Sequence, residues 1–197
     1  AGSSGVRYRR RVENPLAHAA HVLAELVENH GLADSPSVSL GATRPDLPLL
    51  VYRESLPLSQ LLAPVGKQSD NFVAEMVLKI LGMSRQRPAS SEEGLEAMRN
   101  YLRVIGIPDG EGALVNGSGL FVGNRISARH LTTVLLAAYR DAGIRSEFVA
   151  HLAIGGVDGT LARRLQAYRS GRIVRAKTGT LNDVISGDGA ALLTTVG

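Results

Sequence analysis

The sequence predicts an α+β domain, and three observations carry the prediction. Segments with apolar residues at helical spacing outnumber strand-like segments. The strand-like segments sit toward the two ends of the chain, so any sheet must be assembled from distant pieces. The composition, 44% hydrophobic and 20% charged over 197 residues, is that of ordinary globular material. That length suits one domain or an incomplete larger one. No internal repeat and no low-complexity segment interrupts it.

Residues 1–13 read as a linker and a short basic strand. Asn14-Pro15 opens a helix, with Asn as N-cap and Pro at the first helical position. Leu16, Ala19, Ala20, Leu23, Leu26 and Val27 give it one apolar face, and Gly31 stands where a terminating glycine belongs. Residues 37–41 and 48–53 read as short strands around a Pro-containing turn. A short helix is expected over Leu58–Leu62. A stronger one follows Ser69-Asp70-Asn71, with Phe72, Val73, Met76, Val77 and Ile80 as its buried face and Gly82 at its end. Ser90 with Glu93 fits a capping box for a helix running to Gly106. Residues 115–120 are turn-rich. Ser127 caps the next helix, flanked by Ile126 and Leu131 in hydrophobic-staple positions. Residues 146–152 form a short helix and 155–160 a loop. Residues 172–176 form a strand leading into Lys177, and 190–196 a last strand.

Charge and composition exclude several function classes. No apolar run reaches 18 residues, so no membrane span is encoded. Ala1–Gly5 lacks an initiator Met and an apolar core, and does not read as a signal peptide. Zero cysteines exclude disulfides and thiolate chemistry. The net charge of +4 rests on 19 arginines and three lysines. The cluster Arg7-Tyr8-Arg9-Arg10-Arg11 permits a nucleic-acid-binding reading. Beyond Tyr8 no aromatic interleaves that cluster, aromatics are 4% of the chain, and a solvated basic strand or linker is the simpler reading.

Two short segments carry chemistry. Lys177-Thr178-Gly179-Thr180 follows a strand, where a fixed ammonium and neighbouring hydroxyls can bind a carboxylate. Gly179 would let an extended peptide lie against that edge. Taken alone, the tetrapeptide reads more simply as a surface turn. Ser69-Asp70-Asn71 alone is equally a helix N-cap, with Ser69 serving orphan N–H groups. The two together, in this order and about 108 positions apart, are far more specific. They match the second and third motifs of penicillin-binding proteins and serine β-lactamases. The first motif, Ser-x-x-Lys, is absent: the residues three before Lys67, Lys79 and Lys177 are Pro64, Met76 and Val174.

The chain resembles the D-alanyl-D-alanine carboxypeptidases/endopeptidases of the class C low-molecular-mass penicillin-binding proteins. The segments that carry the resemblance are 67–76, Asn116-Gly117-Ser118-Gly119-Leu120, 124–127, 155–161 and 174–181, in family order. It implies a serine β-lactamase/D,D-peptidase-like fold, helices packed on an antiparallel sheet, incomplete here. Residues 14–197 would be a partial catalytic domain, with residues 1–13 following a missing N-terminal segment that carries Ser-x-x-Lys. It further implies that Ser69 relays a proton, Asn71 donates to a peptide carbonyl, and Lys177 supplies positive potential and holds the Ser69 hydroxyl. Thr178 and Thr180 would bind the substrate carboxylate beside Gly179, and the Thr180 N–H would be half of an oxyanion hole. The implied substrate is a peptidoglycan stem peptide, with β-lactams as inhibitors of the full-length enzyme and a periplasmic or cell-envelope location. No cofactor, metal or nucleic acid is implied. This chain alone would be inactive. A non-catalytic peptidoglycan-binding relic and a basic nucleic-acid-binding domain are the alternatives.

Other candidates are weaker. His18, His21 and Glu25 share one side of a helix but read as solvated residues rather than metal ligands. His130 and His151 have no ligand spacing, and Ser118 reads as a turn serine because position 116 is Asn in place of the first Gly of Gly-x-Ser-x-Gly.

Overall fold

Asn14 and Pro15 start the first helix as expected. The computed structural model describes residues 12–42, 44–83, 89–120, 123–166 and 174–179. Its contacts divide the chain into two units, Ala1–Arg53 and Glu54–Gly197. In the first, α1 spans Pro15–Asn29, and the Asn14 side chain accepts from the Ala17 N–H at 3.0 Å. The N–H groups of Gly31 and Leu32 return to the carbonyls of Glu28 and Val27, closing the last turn. The apolar face read for α1 is not buried: Leu16, Leu23 and Leu26 are exposed. Residues 37–41 and 48–53 form no strands either. Their alternation suits a pleat, but a strand needs a partner for its ladder, and the described residues offer none.

The second unit is built mainly of helices. α2 spans Leu58–Gln68, six residues beyond the expected end at Leu62, and carries Pro64 inside it. Proline costs one ladder bond but does not always stop a helix. α3 spans Asn71–Leu81 and α4 Ser91–Val104. The two pack closely at Gly94, where a Cβ would stand 1.9 Å from the Leu78 carbonyl oxygen. Leu78, only 1% exposed, is the centre of that contact. This corrects part of the face expected for α3: Phe72 and Ile80 are exposed, whereas Val73, Met76 and Val77 are half-buried. α3 is apolar on most sides, so periodicity alone cannot choose its buried side.

The predicted caps are in place. Ser90 accepts from the Glu93 N–H at 3.2 Å and donates its hydroxyl to the Glu93 carboxylate at 2.9 Å. Ser127 accepts from the His130 N–H at the start of α5, Ala128–Arg140. α6 follows at Arg145–His151.

Two short strands complete the described architecture. β1, Ala153–Ile154, pairs antiparallel with β2, Arg175–Ala176, in the register Ala153 to Ala176 and Ile154 to Arg175. β1 falls between the helix and loop read from the sequence. A single 3₁₀ turn, Gly159–Leu161, lies between the strands in sequence. Ala153, Leu161 and Ala176 pack together as a small buried core. Many helices with a small antiparallel sheet make this an α+β fold. The basic segment 7–11 and the segment 190–196 lie outside the described residues.

Candidate active site

The junction of α2 and α3 places the first motif residue. Ser69 is the C-cap of α2, in the left-handed conformation at φ 59°, ψ 47°. Asp70 is the N-cap of α3, its side chain accepting from the Val73 N–H at 3.0 Å. The capping role open to Ser69 in the sequence is therefore taken by Asp70, one residue later. A carboxylate at a helix N-terminus also suits the helix dipole. The Ser69 hydroxyl is left for another partner.

That partner is Lys177, directly after β2. Its ammonium donates to Ser69 Oγ at 2.6 Å and to the Thr178 carbonyl at 2.7 Å. Burial pushes the Lys177 pKa below the usual lysine value. Two segments 108 positions apart thus meet through one charge-assisted hydrogen bond. Asn71 begins α3 half-buried, and its amide has no hydrogen-bond partner among the described residues. Thr178 is half-buried and Gly179 exposed. Thr180 lies outside the described residues.

Three residues that lie within the resembling segments 67–76 and 155–161, but were not read as site candidates, frame this pair. Thr178 donates its hydroxyl to Thr160 Oγ1 at 2.7 Å. Lys67 donates to Asp158 Oδ2 and to the Leu152 carbonyl, both at 2.7 Å. The other Asp158 oxygen accepts from the Ile154 N–H at 2.7 Å. Burial raises the Asp158 pKa, but these hydrogen bonds and the charges of Lys67 and Arg175 outweigh it, and the net shift is down. The available signal was the polar run Asp158-Gly159-Thr160 within the segment 155–161, together with the scarcity of lysine.

The glycine-rich turn is pinned to α3. Glu75 accepts from the Ser118 N–H at 2.8 Å. Burial raises the Glu75 pKa, yet hydrogen bonds from Ser118 and Gly117 and the charge of Lys79 bring it below its ordinary value. Asn116 and Asn124 clamp the turn internally, and Ser118 Oγ accepts from the Leu120 N–H. Ser118 is a turn residue here. His21 and Glu25 stand 3.5 Å apart on an exposed helix face. Among the described residues no group of three or more side chains could hold a metal, and no helix is long and apolar enough to cross a membrane.

Comparison with known proteins extends this picture. Residues 2–192 match the model of the D-Ala-D-Ala carboxypeptidase 3 (S13) family. The chain is 32% identical over 192 residues to a D-alanyl-D-alanine carboxypeptidase of Actinomadura sp. (strain R39), covering 93% of this chain and 36% of that protein. It is 33% identical to the carboxypeptidase DacB of Mycolicibacterium smegmatis, covering 87% of this chain and 38% of the relative. A crystal structure of penicillin-binding protein 4 from Haemophilus influenzae, complexed with a β-lactam, superposes with a TM-score of 0.72 at 30% identity. That match covers 86% of this chain and 40% of the other. The chain therefore spans well under half the length of the proteins it matches.

Proposed function

This chain belongs to the D-Ala-D-Ala carboxypeptidase 3 (S13) family, and from that premise we propose that it supplies two of the three catalytic motifs of a serine D-Ala-D-Ala carboxypeptidase or endopeptidase. The substrate in this reading is a peptidoglycan stem peptide, the inhibitors are β-lactams, and the place of action is the periplasm or cell envelope. The observation that carries the reading is the 2.6 Å contact between Lys177 and Ser69.

The chemistry is acyl transfer. A serine oxygen attacks the penultimate D-Ala carbonyl, the peptide C–N bond breaks, and the leaving amine takes a proton. These residues contain no Ser-x-x-Lys, so in this reading the nucleophile and its lysine come from outside them. Ser69 is the proton relay: its oxygen is held by Lys177, so its own proton points onward to the leaving amine. Lys177, its charged form disfavoured by burial, gains from a substrate carboxylate placed beside it. Asn71 offers its unengaged amide to a substrate carbonyl. Thr180 and Thr178, whose hydroxyl proton turns from Thr160 to the ligand, hydrogen-bond the carboxylate, Gly179 lets the peptide lie along the strand edge, and the Thr180 N–H serves the oxyanion.

A labelled penicillin tests the division of labour. The isolated chain should take up no stoichiometric, hydrolysis-resistant label. A covalent label on Ser69 or Ser118 would place the nucleophile inside the chain and overturn the reading.

A further inference from the structure

Resting on that reading, we propose that the Lys67–Asp158 ion pair is a positioning device that holds the Ser69 hydroxyl against the Lys177 ammonium. Lys67 lies two residues before Ser69, in the last turn of α2. Its ammonium reaches Asp158 Oδ2 and the Leu152 carbonyl, both at 2.7 Å, with the lysine side chain only 17% exposed. Asp158 in turn accepts from the N–H of Ile154 in β1. Ile154 pairs with Arg175 of β2, two residues before Lys177. The circuit from Ser69 through Lys67, Asp158, β1 and β2 closes again at Ser69 through the Lys177 contact of 2.6 Å.

Two neighbours of Asp158 tighten the same circuit. Gly159 sits so close to α2 that a Cβ there would stand 2.4 Å from the Lys67 carbonyl oxygen. Thr160 accepts from Thr178, on the far side of Lys177. Three successive residues therefore tie the end of α2 to the segment that carries Lys177. Ser69 needs such ties, because its left-handed backbone is disfavoured for any residue with a Cβ. A lysine and a serine cooperate in proton transfer only within hydrogen-bond reach, so a slip of about 1 Å at this junction is enough to separate them.

The chain has three lysines, so lysine ¹³Cε NMR spectra of the 197-residue chain separate Lys177 from Lys67 and Lys79. In the wild type the Lys177 signal titrates below the ordinary lysine value of about 10.4. Asp158→Asn and Lys67→Met should move that midpoint up toward 10.4 as Lys177 leaves its buried contact. Lys67→Arg keeps the charge and the reach, and should leave it in place. Lys79 is the internal control. Folded Asp158→Asn and Lys67→Met chains with an unmoved Lys177 would overturn the proposal. Loss of folding in both would overturn it as well, since the pair would then be a stability element. A wild-type Lys177 that titrates like a free lysine would instead remove the Ser69 contact, and with it the proposed function on which this inference rests.

Discussion

Replacing Ser69 by glycine and by alanine separates backbone strain from side-chain contact. Both variants lose the hydroxyl that accepts from the Lys177 ammonium at 2.6 Å. That loss costs on the order of 1–3 kcal/mol for a hydrogen bond to a charged group, and it is common to both. The backbone is where they differ. Ser69 sits at φ 59°, where a residue with a Cβ pays roughly 1–2 kcal/mol that glycine does not. Glycine gives back about 0.4–1 kcal/mol through its freer unfolded chain. The alanine variant should therefore be less stable than the glycine variant by about 1 kcal/mol, the reverse of the order inside a helix. In a domain of this size that is a difference of about 2–4 °C in Tm. Urea unfolding followed by circular dichroism at neutral pH measures it. An alanine variant as stable as the glycine variant, or more so, would mean that Ser69 is not held left-handed, and the account of the α2–α3 junction would fail. Strain of this kind is found where a side chain must project into a site.

Three further outcomes follow from the same contacts. Leu78→Ala opens the α3–α4 contact at a side chain 1% exposed, and should cost about 2–5 kcal/mol by chemical denaturation; a cost under about 1 kcal/mol would mean that α3 does not bury this face. Asp70→Ala removes the α3 N-cap and should cost about 1 kcal/mol, whereas an unchanged midpoint would return the capping role to Ser69. Asp158 and Glu75 both have carboxyl pKa values lowered by folding. Their stabilisation is present above the unfolded values near pH 4, and is lost as pH falls through the folded values. The fall in stability below pH 4 should be shallower in Asp158→Asn, and an identical acid profile would show that Lys67 does not hold that charge.

The helix boundaries that local chemistry sets were legible in the sequence. Asn14, the Ser90 and Glu93 pair and Ser127 each cap the helix they were expected to cap, because a cap is decided by residues three apart. The meeting of Ser69 and Lys177 was legible only because two weak motifs stand in a specific order. What was not legible depends on tertiary partners. The buried side of α3 is chosen by Gly94 of α4, which accepts the backbone at Leu78. Residues 37–41 and 48–53 have strand composition but no strand partner among the described residues. The ion pair of Lys67 and Asp158 joins positions 91 apart; both lie in segments that carry the resemblance, but nothing in either segment shows that the two side chains meet.

The central claim is that Ser69 and Lys177 act together in acyl transfer at one site. The most direct measurement is the rate of acylation by a labelled penicillin in a polypeptide that joins this chain to a Ser-x-x-Lys segment. The account predicts that Lys177→Ala and Ser69→Ala, folded, are each slowed by on the order of 10²-fold or more, since each removes a group aimed at developing charge or at a moving proton. Folded variants that acylate at the parent rate would contradict it, and would reduce the two motifs to a helix junction and a strand end.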